Sequence, residues 1–381
     1  MFYLEARSQP SRLMTWGSPL LAILITFFLL AVLLAVMGQN VPTGLRVFLV
    51  EPFTGAQGFS KTGAKSIANL ALKATPLILC SLGLALCFRA NIFNIGAEGQ
   101  YIFGAIASSG VALWFTNNNV NIYPWLFLPI GMLAGMIGGM FWASLVAGLK
   151  DFFSANEILV SLMLVYIANY VLQYLVFGPW KNPVGFNFPR TVLFSADTLV
   201  PRLYGSLHWG FIIALILTVI MWVFIMRTFK GYQLKVGGIA PAAARYAGFS
   251  SRYALWICLL ISGALAGLAG AFETLGPVGQ LTNKAPVGYG FTAIIVAYIA
   301  RLHPAGCIFG SFLLSVMLVG GQLAQSRLGL PDSFSFALQG ALLFSLLACD
   351  TFITYRLKRK SPFKGEKTEA TEIVSQEKKD E

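Results

Sequence analysis

Long apolar runs follow one another along almost the whole chain, and no other feature restricts its fold as strongly. Cut at charges, prolines and asparagine-rich breaks, the sequence yields about ten segments, each near the roughly twenty residues that cross a hydrocarbon core. They lie near 17–38, 66–88, 91–115, 124–149, 157–178, 209–227, 253–274, 288–301, 304–324 and 334–355. Of the 381 residues, 57% are hydrophobic and only 11% charged, against about 25% charged in soluble domains. Too few charges remain to cover a water-exposed surface of this size. The sequence therefore predicts an all-α, polytopic membrane protein of about ten transmembrane helices, with the lipid bilayer as its solvent.

The first run, 17–38, follows Arg7 and Arg12 in the manner of a signal peptide. Its length of about twenty residues and the lack of a small-residue cleavage site predict a retained first span.

The formal charge of +12 does not point to nucleic acid, because the basic residues lie in short segments between apolar runs. With the N-terminus inside, the inner segments hold eighteen Lys and Arg and the outer ones eight, the asymmetry that sets membrane orientation. Both termini are predicted to be cytoplasmic: an N-terminal segment 1–16, a transmembrane domain 17–355 and a tail 356–381. That tail opens on Arg356, Lys358, Arg359 and Lys360 and then has almost no large apolar residue, so it is predicted to be disordered.

Reactive constellations are scarce. His208 and His303 fall on opposite sides in this topology, and no Cys-x-x-Cys or His-Glu-x-x-His occurs. No metal, cofactor or catalytic residue is expected. The five cysteines sit in or beside apolar runs and predict no structural disulfide. The stretch 55–62 resembles a phosphate-binding loop, but Ser60 replaces the glycine that must precede the lysine. ATP, if used, has to be handled by another chain.

Four features remain. Gly131, Gly135, Gly139, Ala143 and Ala147 recur every four residues, as do Gly263, Gly267 and Ala271. Such stripes allow close helix packing and also suit sliding during gating. Asn91, Asn94, Glu98 and Gln100 form a polar cluster inside apolar sequence. On a helix the first three share a face, with Glu98 about 10 Å from Asn91. A buried carboxylate costs about 2.5–3.5 kcal/mol on insertion scales, so the cluster either lines a translocation pathway or ties helices together. Finally, 227–252 carries five basic residues and no acidic one. Within it, Pro241 to Ala247 reads as a short cytoplasmic helix between Gly237-Gly238 and Gly248. Its alanines suit a protein groove better than lipid. The outer stretch 179–208, with four prolines, is either a stiff connector or a platform for a soluble partner.

These residues resemble the permease subunits of bacterial ATP-binding-cassette importers, in the group related to ribose and branched-chain amino acid permeases. The nucleoside and simple-sugar branch, served by basic-membrane-protein-type receptors, is most similar. The resemblance spans roughly 60–350. It is carried by Ala74-Thr75-Pro76-Leu77, by Phe93-Asn94-Ile95-Gly96-Ala97-Glu98-Gly99-Gln100, by Ala243-Ala244-Arg245-Tyr246-Ala247-Gly248, by Gly288-Tyr289-Gly290-Phe291-Thr292-Ala293-Ile294 and by Pro304-Ala305-Gly306.

The resemblance implies a permease of the bacterial inner membrane that moves a small-molecule solute, a nucleoside or simple sugar, into the cytoplasm. It pairs with a second homologous permease subunit, two cytoplasmic ATP-binding subunits and an extracytoplasmic substrate-binding protein, and hydrolyses nothing itself. Its ATPase-coupling helix is then Gly237, Gly238, Pro241, Ala243, Ala244, Arg245, Tyr246 and Gly248. Here Ala240 stands where that family often has asparagine before the proline. From another class, an ion-coupled secondary transporter of a small polar solute is the alternative. It calls for more intramembrane carboxylates than Glu98 and Glu273.

Overall fold

The computed structural model describes residues 2–7, 11–55, 59–120, 122–331 and 333–359. The chain is all-α apart from short strand pairs. In order it runs β1 (Phe2–Ala6), α1 (Arg12–Val36), α2 (Val41–Leu45), a π-helical turn Arg46–Val50, α3 (Glu51–Thr54), α4 (Phe59–Arg89), α5 (Ala97–Asn117), α6 (Pro124–Phe153) and α7 (Glu157–Phe177). An irregular stretch holding β2 (Arg202–Tyr204) and β3 (Leu207–His208) follows. Then come α8 (Gly210–Arg227), α9 (Phe229–Ile239), α10 (Pro241–Tyr246) and α11 (Ser251–Glu273), which runs on as a π-helical turn Thr274–Val278. The chain closes with α12 (Tyr289–Ile299), α13 (Pro304–Leu328), α14 (Ser333–Thr354) and β4 (Tyr355–Arg359).

Eight helices among the described residues are long and apolar enough to cross a membrane. α5 matches a ninth expected segment. The tenth, expected over 288–301, is an 11-residue helix, α12. At 1.5 Å per residue it reaches only about half of a 30 Å hydrocarbon core.

Two compact units are present. The smaller holds the two ends of the chain, 1–30 and 340–381. There β1 pairs antiparallel with β4, from Phe2 opposite Arg359 to Ala6 opposite Tyr355, and Arg356 meets Glu5 at 2.8 Å. The strand carries ordered backbone four residues past the expected start of a disordered tail at 356, because β1 supplies a ladder partner for it. Residues 360–381, the rest of that expected tail, lie outside the described residues.

The larger unit, 31–339, is organised round α11, buried on nearly every face from Cys258 to Glu273. Its glycine stripe meets the stripe on α6. A Cβ placed on Gly139 would lie 2.0 Å from the Gly263 carbonyl oxygen, and one on Gly267 2.2 Å from the Gly135 carbonyl oxygen. α5 closes in from another side, with Gly104 against the Gly267 backbone. Three helices thus touch main chain to main chain, which only hydrogen side chains permit. The packing role of both stripes is visible in these contacts.

Candidate functional site

Between α4 and α5 the chain is not helical, and this changes the geometry expected of the polar cluster. Asn91 takes φ +57°, in the left-handed region that asparagine tolerates, and α5 starts only at Ala97. Asn91, Asn94 and Glu98 therefore do not share a helical face. Asn91 is exposed at the turn, whereas Asn94, Glu98 and Gln100 are buried together.

The break itself explains these residue types. Backbone groups freed inside an apolar bundle need partners from the protein. The Asn94 side-chain oxygen accepts from the Gly96 N–H at 3.0 Å, and its amide donates to Gln100 Oε1 at 3.1 Å and Ser262 Oγ at 3.0 Å. The Ile95 N–H donates to Ser161 Oγ at 3.3 Å. Asn94 thus joins the break to α11 through Ser262 and to α5 through Gln100, and Ser161 adds α7. In this conformation their polar atoms face protein.

Glu98 serves another element. Its two carboxylate oxygens accept from the Gly288 N–H at 2.9 Å and the Gly290 N–H at 2.6 Å, the first amides of α12. A Cβ on Gly290 would fall 2.3 Å from the Glu98 nitrogen, so glycine is what lets the two helix starts meet. Hydrogen bonds to a charged group contribute about 1.5–3 kcal/mol each, and a carboxylate at a helix N-terminus gains up to about 2 more. Together these offset the insertion cost of about 2.5–3.5 kcal/mol.

The other end of α12 is also held. Arg89, the last residue of α4, donates from Nε to the Leu302 carbonyl at 3.0 Å. Leu302 has φ +55° and Arg301 φ +53°, a conformation that costs non-glycine residues about 1–3 kcal/mol each and persists only where surroundings hold it. Arg89 also reaches the Met226 sulfur at 3.5 Å.

Above the break lies a cluster that sequence reading passed over. Lys73, in the middle of α4, pairs with Glu273 at 3.1 Å and stands 5.7 Å from the Tyr289 ring centre. Tyr289 meets Tyr101 edge to face at 6.0 Å, and both are fully buried. A lysine inside an apolar run is the local signal for this cluster. The spacing could not reveal that Lys73 and Glu273 meet, because 200 residues separate them.

The segment expected to couple the bundle to an ATPase forms two helices meeting at Ala240. Pro241 opens α10 and Gly248, at φ +77°, follows its end. Pro241, Ala243, Arg245 and Tyr246 are exposed, Tyr246 at 97%, whereas Ala244 is buried at 4%. Ala244 is therefore covered by its own chain, in a groove that Leu234 and Ile257 also line. Gly237 has open space around it, but a Cβ on Gly238 would lie 2.2 Å from the Arg89 carbonyl oxygen.

At the opposite end of the bundle, the stretch 178–209 is tied by its backbone to the α11–α12 connection. Thr191 N–H donates to Leu281 O at 3.0 Å, Phe194 N–H to Gly279 O at 2.9 Å and Val200 N–H to Leu275 O at 2.9 Å. His208 is buried there, accepting from the Gly210 N–H at Nδ1 over 3.0 Å. Burial pushes its pKa down to about 4. In the stretch that looked like a phosphate loop, 56–58 lie outside the described residues and Thr62 donates to the Thr54 carbonyl at 2.8 Å.

Comparison with known proteins agrees with this architecture. The chain is similar to a glucose ABC transporter permease protein of Haloferax volcanii, 30% identical over 93% of each chain. It is also similar to a guanosine ABC transporter permease protein of Bacillus subtilis, 32% identical over 82% of this chain and 88% of the relative. A nucleoside ABC transporter permease protein of Lactococcus lactis is 28% identical over 86% and 89%. Residues 66–347 match the family described as the permease component of the branched-chain amino acid transport system. Its apolar helices, glycine-packed core and matched length place this multi-pass inner-membrane chain in that family of ABC transporter permeases.

Proposed function

We infer that this chain forms half of a solute path in an ATP-driven importer and carries a nucleoside or simple sugar into the cytoplasm. The observation that carries the reading is α10, a short helix with exposed Pro241, Ala243, Arg245 and Tyr246, standing on a bundle of the permease family. Its small exposed residues fit a groove on a separate ATP-binding subunit. The complete assembly then comprises this chain, a second homologous permease, two cytoplasmic ATP-binding subunits and an extracytoplasmic binding protein. ATP hydrolysis belongs to the partners.

The solute class is supported by relatives named for glucose, guanosine and nucleosides, which share a hydroxyl-bearing ring. Pairing of β1 with β4 supports an even number of crossings with both termini on one side, and the Lys/Arg asymmetry makes that side cytoplasmic.

The test is uptake by the complete system in proteoliposomes, with nucleosides, pentoses, hexoses and branched-chain amino acids as competitors. Competition by a nucleoside or sugar, dependent on ATP, is expected. Competition by branched-chain amino acids alone would overturn the solute assignment, and ion-gradient-driven uptake by the chain without partners would overturn the energy source.

A further inference from the structure

The short helix α12 is gripped at both ends by the two charged residues that bracket one non-helical connection. Arg89 closes α4 and holds the Leu302 carbonyl just past the C-terminus of α12, at 3.0 Å. Glu98 opens α5 and holds the N-terminal amides of Gly288 and Gly290, at 2.9 and 2.6 Å. Each charge matches the helix end that it meets, carboxylate at the N-terminus and guanidinium at the C-terminus. The connection between them, 90–96, is also where α9 bears on the bundle. Gly238 lies so close to Arg89 and Ala90 that a Cβ would fall 2.2 Å from the Arg89 carbonyl oxygen and 3.1 Å from the Ala90 Cα. The exposed helix α10 begins three residues later. An unbroken series of contacts therefore runs from α10 through Gly238 and Arg89 to both ends of α12.

We propose that Arg89 and Glu98 are positioning residues that make α12 and the 90–96 connection one moving part, through which displacement of α10 reaches the interior of the bundle. This rests on the reading of an ATP-driven permease. α12 suits the role because it is only 11 residues long. Seven of its residues are buried in the bundle, so a shift of its held ends carries that buried side with it.

Release of either end is then enough to separate the driving motion from the path. Glu98→Gln removes one charge at nearly constant volume, and Arg89→Gln removes the other with a shorter side chain that keeps a donor amide. In the complete transporter in proteoliposomes, both variants are expected to retain assembly and basal ATP hydrolysis within about twofold. Solute moved per ATP hydrolysed should fall at least tenfold, with the double variant no worse than the poorer single one. Acting as one device, the two losses should not add.

A purely structural role predicts lower yield and thermal stability with an unchanged transport-to-hydrolysis ratio in whatever assembles. That result would overturn the proposal, as would additive losses or a ratio within twofold of the unmodified protein. Should a variant not assemble, Arg89→Lys and Glu98→Asp are measured instead. The lysine keeps a cationic donor and should retain most coupling; the shorter aspartate cannot span both amides and should lose it. Equal behaviour of the two would overturn the clamp. Uptake by the unmodified system tests the importer reading separately, since it does not depend on either residue's role.

Discussion

Lys73 and Glu273 form an ion pair at 3.1 Å between the middle of α4 and the end of α11. The Glu273 side chain is 5% exposed and that of Lys73 18%, so neither charge is left to bulk water. The contact ties two of the most buried helices of the larger unit to the start of α12, because the lysine also faces the Tyr289 ring.

Breaking one side of that pair leaves an uncompensated buried charge, which costs about 3–5 kcal/mol. Lys73→Met and Glu273→Gln are expected to lower the thermal unfolding midpoint in detergent sharply. The double variant Lys73→Met with Glu273→Met should recover part of the loss, because no charge is then stranded. A double variant less stable than both single ones would show that the pair contributes through other contacts.

The glycine contacts separate into tight and open positions. Gly139→Ala puts a methyl 2.0 Å from the Gly263 carbonyl oxygen, so α6 and α11 must part. Overpacking of this kind costs about 1–3 kcal/mol or more, and the chain should be poorly recovered from membranes. Gly237→Ala, with open space around it, should be neutral or slightly stabilising, since alanine favours helix by up to about 1 kcal/mol. Equal yields of the two variants would contradict the close approach.

At α10, exposed and buried faces predict different failures. Ala243→Trp and Tyr246→Ala alter exposed residues and should release the ATP-binding partner, seen by co-purification, while the permease stays folded. Ala244→Trp is expected to disturb the permease itself, because Ala244 is buried within its own chain. Retention of the partner and normal uptake in Ala243→Trp and Tyr246→Ala together would remove α10 from the coupling role.

His208 gives a pH dependence with a definite sign. Its folded pKa lies near 4, below the unfolded value of about 6.5, so the unfolded chain binds the proton first. Its contribution to stability is complete above about pH 6.5 and is lost as pH falls towards 4. Unfolding midpoints measured between pH 7.5 and 4.5 should show an acid-side decline that is smaller in His208→Gln. An identical decline in that variant would assign it to other groups.

The local pattern of the chain determined a good part of this. Apolar runs of about twenty residues, separated by charges, dictate an all-α membrane bundle, because in lipid only helices and closed barrels satisfy the backbone amides and unbroken runs of this length suit a helix. Glycines four residues apart mark contact faces because they fall on one side of a helix. Proline at 241 and glycine at 248 bound α10 because each residue's backbone preference suits that helix end. Tertiary structure decided the rest. Helical spacing put Asn91, Asn94 and Glu98 on one face; packing broke the helix there, and Asn94 became the cap of the break instead. Nothing local distinguishes Ala243 from Ala244, yet only one is exposed. The partners Lys73 and Glu273, Glu98 and Gly288, and Arg89 and Leu302 are each about 200 residues apart in sequence. Periodicity reaches only a few turns along one helix, and contacts at that separation depend on which faces the assembled bundle brings together.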